Sequence, residues 1–295
     1  MASDVESIKK AIIKTSKNEG RTPYTILLVG ETGVGKSSVL EFIGNVLAGN
    51  DIDHYNFDIL DHTDELGGPN NQSKTTSARV YEFTSKNGIV VSASINEHGE
   101  YSLHLPQVRI IDTPGLADTR TLQQDELHKR TTQIKNLTDS VTAVLILANG
   151  TVPRGQVGID CPLSILSTLF PKALSENIGL MFTNMWGPLG YNVCEDTVPT
   201  SLQGAIRFRV DSPIALQKKY LKLKNEPNMK VGKANLRILV KAGEENALGM
   251  LVNLFDWLDG LKPQPTTEIV RSAVRCSTCL RLAWGSNLIT IGNRL

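Results

Sequence analysis

A chain of 295 residues, 40% hydrophobic and 21% charged, can bury a full core and is expected to form one large domain, or one domain with a helical extension. With 31 Lys and Arg against 30 Asp and Glu, its formal charge of +1 excludes a global electrostatic pull toward nucleic acid or an anionic membrane. No run reaches the ~18 apolar residues of a membrane span, MASDVESIKKAIIK lacks a signal-peptide core, and four cysteines lack disulfide spacing, so a soluble cytoplasmic protein without a transmembrane segment is expected.

Residues 1–22 carry an apolar helical stripe (Val5, Ile8, Ile12) broken at Thr22-Pro23, read as a lead-in helix. Tyr24 to Val29 is a continuous β-rich run of the kind buried on both faces, and it feeds a glycine-rich loop. A helix follows from about Lys36 to Ala48, stopped by Gly49. Between Ser37 and Ser73 there is no Lys or Arg, while Glu41, Asp51, Asp53, Asp58, Asp61, Asp64 and Glu65 are acidic; the segment ends in GGPNNQ and reads as a long, mobile, acidic loop. Arg79 to Thr84 and Ile89 to Ile95, split by a turn at Asn87-Gly88, predict a hairpin. Gln107 to Asp112 is the next strand, followed by a polar helix over 122–137, a buried strand over Val141 to Ala148, a helix over 162–169 and a strand over Ile178 to Thr183. Ala205 to Val210 reads as the last strand; Pro213 to Leu223 and Glu244 to Leu258 read as amphipathic packing helices.

This alternation predicts an α/β fold, a mainly parallel sheet with helices on both faces. The expected domain of 23–212 is followed by a helical extension over 213–268 and a basic tail over 269–295. That tail holds Arg271, Arg275, Arg281 and Arg294 without an acid and loses helical periodicity, as a frame or splice error in the gene model would produce. Its Cys276-x-x-Cys279 has no second ligand pair nearby and is read as coincidence. The five histidines show no HxxxH or HExxH spacing, so no protein-held transition metal is expected.

Gly30-Glu31-Thr32-Gly33-Val34-Gly35-Lys36-Ser37 fits GxxxxGK[ST] between a buried strand and a helix, the context the motif requires. The glycines allow backbone N–H groups to turn around phosphate oxygens, and the helix N-terminus adds its positive end. Lys36 supplies a point charge to the β- and γ-phosphates, Ser37 a hydroxyl to Mg²⁺, and Ser38 continues the cradle. IIDTPG then follows the strand expected beside the loop strand: Asp112 would hold the Mg²⁺ shell and Gly115 offer an N–H to the γ-phosphate. The threonine that closes over Mg²⁺ must come from between these motifs; Thr75 is the first choice, Thr76 the second, against ordinary polar loop residues.

GETGVGKSS, the S-x-T at Ser73 to Thr75 and DTPGL at Asp112 to Leu116 resemble the AIG-type, or immune-associated nucleotide-binding, GTPases, near septins and chloroplast-import GTPases in the TRAFAC class. More closely, the chain resembles fungal G-domain proteins of this group, over about Tyr24 to Glu268. The resemblance implies a three-layer P-loop NTPase G domain, GTP or GDP as ligand, slow intrinsic hydrolysis, and homodimers that pair across the nucleotide face. Where such proteins carry an N/TKxD-like base-reading motif this chain has Phe182-Thr183-Asn184-Met185-Trp186, with no acid. Asn184 could hydrogen-bond the base and Trp186 stack on it; Asp211 or Ser212 offers either a base contact or a helix cap. Leu116 stands where small Ras-like GTPases carry a catalytic glutamine, and it cannot orient water. Arg120 and Arg130 are alternatives from the same or a paired subunit, or plain surface residues.

Three functions compete on these residues: a slow Mg²⁺-dependent GTPase switch, a nucleotide-held dimer or scaffold with little turnover, and a P-loop ATPase or kinase.

Overall fold

The computed structural model describes residues 23–60, 78–84, 92–95, 101–104, 107–113, 134–151, 172–185, 188–193, 196, 198–224 and 233–267, with 92–95 and 101–104 described by their backbone. The expected lead-in helix, the basic tail, the helix at 162–169, most of the helix at 122–137, and Thr75, Thr76, Gly115, Leu116, Arg120, Arg130 and Trp186 lie outside these residues.

The described strands are β1 (Tyr24–Gly30), β2 (Arg79–Thr84), β3 (Ser92–Ile95), β4 (Tyr101–His104), β5 (Gln107–Asp112), β6 (Ser140–Val141), β7 (Ala143–Asn149), β8 (Ile178–Thr183), β9 (Ile206–Arg209) and β10 (Gln264–Pro265). The helices are α1 (Lys36–Leu47), α2 (Pro213–Lys224) and α3 (Lys233–Asp259). Six strands form the central sheet in the order β2-β5-β1-β7-β8-β9, with β5, β1, β7, β8 and β9 parallel and β2 antiparallel at one edge. The α/β expectation holds, and the parallel strands explain the continuous apolar runs. β7 and β8 are buried along almost their whole length because both of their faces are covered.

Alternating residues of each strand feed two cores. Ile26, Leu28, Val108, Ile110, Leu145 and Leu147 face α1, α2 and α3. Leu27, Val29, Ile111, Val144 and Ile146 face the opposite layer, where Ile134 of a helical turn at 134–137 joins Leu174, Val198 and Leu202. Phe42, Ile43 and Leu40 of α1 are at most 1% exposed, each worth about 1.5–3 kcal/mol of burial. α2 and α3 belong to the first core, with Ile214, Leu251, Leu254 and Leu258 buried in it. At the amino ends of the strands, β10 pairs with β6, while Asn177 Nδ2 donates to the carbonyls of Thr142 (2.8 Å) and Lys262 (2.9 Å).

Three expectations need correction. The predicted hairpin is absent from the described pairings: β2 pairs with β5, from Arg79↔Asp112 to Thr84↔Gln107, and β3 pairs with β4. β2 is drawn to β5 because that places Phe83 on the core side, where it packs against the first core beside Gly44 of α1. α3 begins at Lys233, earlier than its apolar stripe suggests, since Ile238 and Leu239 remain 64% and 65% exposed and blur the pattern.

The acidic segment is also not loose throughout: over 51–60, Ile52, Tyr55 and Leu60 are buried. Asn45 of α1, itself fully buried, pins this stretch by donating to Asn56 O (2.9 Å) and accepting from Asn56 N (2.7 Å). α3 holds it from the other side: Tyr55 OH donates to Glu244 Oε1 (2.9 Å), and Arg237 pairs with Asp53. Burial, then the charge of Glu244 and their hydrogen bond, raise the Tyr55 phenol above its ordinary value.

Candidate functional site

In a parallel sheet the carboxyl ends of the strands share one rim, and the loops leaving that rim are where ligands bind. The loop from β1 to α1 leaves it between β5 and β7. Gly30 is forced at its start, because a Cβ there would lie 2.6 Å from the Leu147 carbonyl oxygen of β7. Gly33 and Gly35 have φ of 82° and 94°, backbone that costs an L side chain ~1–2 kcal/mol. Gly35 is also the N-cap of α1; no side chain caps the helix and no acid stands in its first turn. The leading N–H groups and the positive helix end are thus left for an external anion.

Lys36 opens α1 and is only 8% exposed. Its ammonium folds back across the loop, donating to Gly30 O (3.0 Å) and Glu31 O (2.9 Å). Thr32 contributes a buried hydroxyl with no hydrogen-bond partner among the described residues, and Ser37 and Ser38 are half-buried on the first helical turn. Val34 is buried in the first core beneath them.

Asp112 ends β5 in register with Leu28 of β1 and is 4% exposed. Thr113 fixes that strand end: its buried Oγ1 donates to Leu28 O (2.8 Å). The parallel pairing therefore delivers the carboxylate to the rim that carries the glycine loop. Among the described residues no group of three or more His, Cys, Asp or Glu could hold a metal. One carboxylate and one serine hydroxyl are the sparse protein set used by Mg²⁺ when phosphate and water complete its shell.

The turn after β8 forms the other wall. Thr183, 3% exposed, donates its hydroxyl to the Val34 carbonyl within the glycine loop. Asn184 is exposed with φ of 59°, a left-handed backbone that asparagine tolerates. Met185 N then donates to Asp211 Oδ1 (2.7 Å). The turn is anchored on both sides of Asn184, which leaves that amide at the rim. Ser212 acts as a cap, accepting from Ala215 N (3.2 Å) at the start of α2.

The rim thus gathers Gly30, Glu31, Thr32, Gly33, Val34, Gly35, Lys36, Ser37, Ser38, Asp112 and Asn184. Sequence reasoning missed the roles of Thr183 and Asp211, because neither bond is local: 149 residues separate Thr183 from Val34, and 26 separate Asp211 from Met185.

No family model and no curated protein matches the sequence. Among solved structures it is similar to Toc33 from Arabidopsis thaliana. A complex with Mg²⁺ and GMPPNP shares 16% identity over 77% of this chain and 85% of that one, with a TM-score of 0.39. A complex with GDP and Mg²⁺ shares 16% over 83% and 90%, with a TM-score of 0.40. A dimerization-deficient mutant shares 15% over 76% and 84%, also with a TM-score of 0.40. Likeness at this level adds nothing to the geometry of the site.

Proposed function

We propose that the chain binds GTP and GDP with Mg²⁺ at the β1–α1 loop and is a slow GTP hydrolase acting as a nucleotide switch. The observation that carries this reading is the buried Lys36 ammonium, folded over a left-handed glycine loop one strand away from the buried Asp112 carboxylate. A triphosphate complements that pairing of cation, open helix end and metal-seeking acid. Lys36 would bind the β- and γ-phosphates, while Ser37, Asp112 and Thr75 would hold Mg²⁺ and Gly115 would meet the γ-phosphate. Bound Mg²⁺ would neutralise charge on the phosphate oxygens.

Guanine over adenine rests on the family resemblance and on Asn184 beside the loop. Slow turnover rests on Leu116, which cannot orient water. The G domain on this reading spans 23–212, with α2 and α3 as its extension.

The deciding experiment is to purify the protein, denature it and identify the released nucleotide by chromatography, with Lys36→Ala alongside. Guanine nucleotide from the wild type and none from the variant is expected. Adenine nucleotide would overturn the base assignment, and undiminished calorimetric binding by Lys36→Ala would overturn the site. Leu116 also favours a second reading, a homodimer paired across the nucleotide face with little turnover. Turnover per subunit that rises with protein concentration supports paired catalysis; stable nucleotide-loaded dimers without turnover support the scaffold.

A further inference from the structure

α3 turns one face to the core, and the described residues leave the opposite face exposed. Ile238, Ala242, Glu245, Gly249, Val252 and Asp256 recur at spacings of four and three, which sets them in one line along the helix, and all are exposed. Ile238 is 64% and Val252 41% exposed, whereas Ala247, Leu251, Leu254 and Leu258 on the far side are buried. A Cβ at Gly249 would meet no atom within 4 Å. This glycine, which weakens a helix interior, therefore serves no close approach within the described chain.

Chain path and charge both point to residues 1–22 as the cover of that line. Tyr24 opens β1 with its ring centroid 6.2 Å from that of Phe255 and its hydroxyl donating to Asp259, so residues 1–22 lead to the point at which α3 ends. Their apolar stripe of Val5, Ile8 and Ile12 has the same three-and-four spacing. A helix over 4–17 would span ~21 Å, as does α3 from Ala242 to Asp256, and residues 18–23 can reach up to ~20 Å to join it to β1. Ser7 to Lys17 carries Lys9, Lys10, Lys14 and Lys17 and no acid; Ala242 to Asp259 carries Glu244, Glu245, Asp256 and Asp259 and no Lys or Arg. Tyr55 engages Glu244 and Tyr24 engages Asp259, while Glu245 and Asp256 are exposed, with no ion pair among the described residues. Such a match of sign fixes register between two surfaces.

We propose that the outer face of α3 is an intramolecular docking surface for the chain's own amino-terminal segment. Residues 4–17 lie on it as a helix parallel to α3, with Val5, Ile8 and Ile12 against Ala242, Gly249 and Val252 and the lysines beside Glu245 and Asp256. Gly249 gives the segment room for close approach. The inference rests on α3 and residues 1–22 and does not depend on the nucleotide reading.

The test is zero-length carbodiimide coupling of lysines to carboxylates in an equal mixture of heavy-isotope-labelled and unlabelled full chain, read by peptide mass mapping. Lys9, Lys10, Lys14 or Lys17 should couple to Glu245 or Asp256, always within one isotopic form. Ile8→Asn combined with Ile12→Asn keeps every charge and removes the apolar stripe, so these couplings should fall about ten-fold. Val252→Arg should do the same from the other side. Val252 is exposed and Ile8 and Ile12 lie outside the packed domain, so near-ultraviolet circular dichroism should match the wild type. The wild-type map decides even where a variant misfolds. Absence of those couplings would overturn the proposal, as would their persistence in both variants, which would mark charge attraction without docking. Couplings that join heavy to light peptides would also overturn it and assign the face to a second copy.

Discussion

The Thr183 hydroxyl, at the end of β8, donates to the Val34 carbonyl in the middle of the β1–α1 loop, so two segments 149 residues apart share one buried hydrogen bond. Thr183→Val keeps the shape and removes the donor, leaving Val34 O unsatisfied by that group, at a cost of about 1–2 kcal/mol. Nucleotide affinity measured by calorimetry should fall roughly 5- to 30-fold, the same free energy expressed as binding. Thr183→Ser, which keeps the hydroxyl, should recover most of it. Equal affinities for the Val and Ser variants would show that the bond does not position the loop.

Glycines of the loop should differ in a way their common role in the motif does not suggest. A Cβ at Gly30 meets a backbone oxygen at 2.6 Å, whereas one at Gly33 meets no atom within 4 Å and suffers only from φ of 82°. Gly30→Ala should therefore cost about 2–3 kcal/mol and Gly33→Ala about 1 kcal/mol. Urea unfolding of both variants checks the order.

Asp211 should affect the base side of the site and spare the phosphate side. Its carboxylate accepts from Met185 N, next to Asn184, while Lys36 is held by Gly30 O and Glu31 O. Asp211→Ala is expected to weaken GDP several-fold and leave pyrophosphate binding unchanged in parallel titrations; Asp211→Asn keeps an acceptor and should be milder.

Tyr55 gives a dependence on pH whose sign is fixed. Burial first, then Glu244, raises the folded-state phenol above its ordinary value of 10.0. The contribution to stability is complete below that value and is lost as pH rises above it, because the unfolded phenol ionises while the folded one resists. Tyr55→Phe should cost about 1 kcal/mol near neutrality, from the bond to Glu244. The gap between wild type and variant should shrink above pH ~10 in unfolding titrations.

Local signals in the sequence carried as far as local physics carries them. The strand into the glycine loop, the helix after it and the acid ending β5 were readable because motif, apolar run and helix start all lie within a few residues. Asn87-Gly88 spoke only for a turn; it held no information on whether Arg79–Thr84 pairs with the next strand or with β5, a choice made by Phe83 entering the core beside Gly44. Acidic composition hid the packing of 51–60, since three apolar side chains and the Asn45 network decide it, not the charges around them. The anchors of the Asn184 turn were unreadable because both partners arrive through the sheet.

The small β10–β6 pairing, with Asn177 bonded to Lys262 O, brings the described chain out at the amino ends of the strands, where Tyr24 also enters β1. Entry and exit thus lie on one side of the sheet, and the glycine loop, Asp112 and Asn184 lie on the other. A protein tethered to a surface or fused to a cargo through either of these points would present the rim that carries the glycine loop outward, leaving that face clear to meet another molecule head-on.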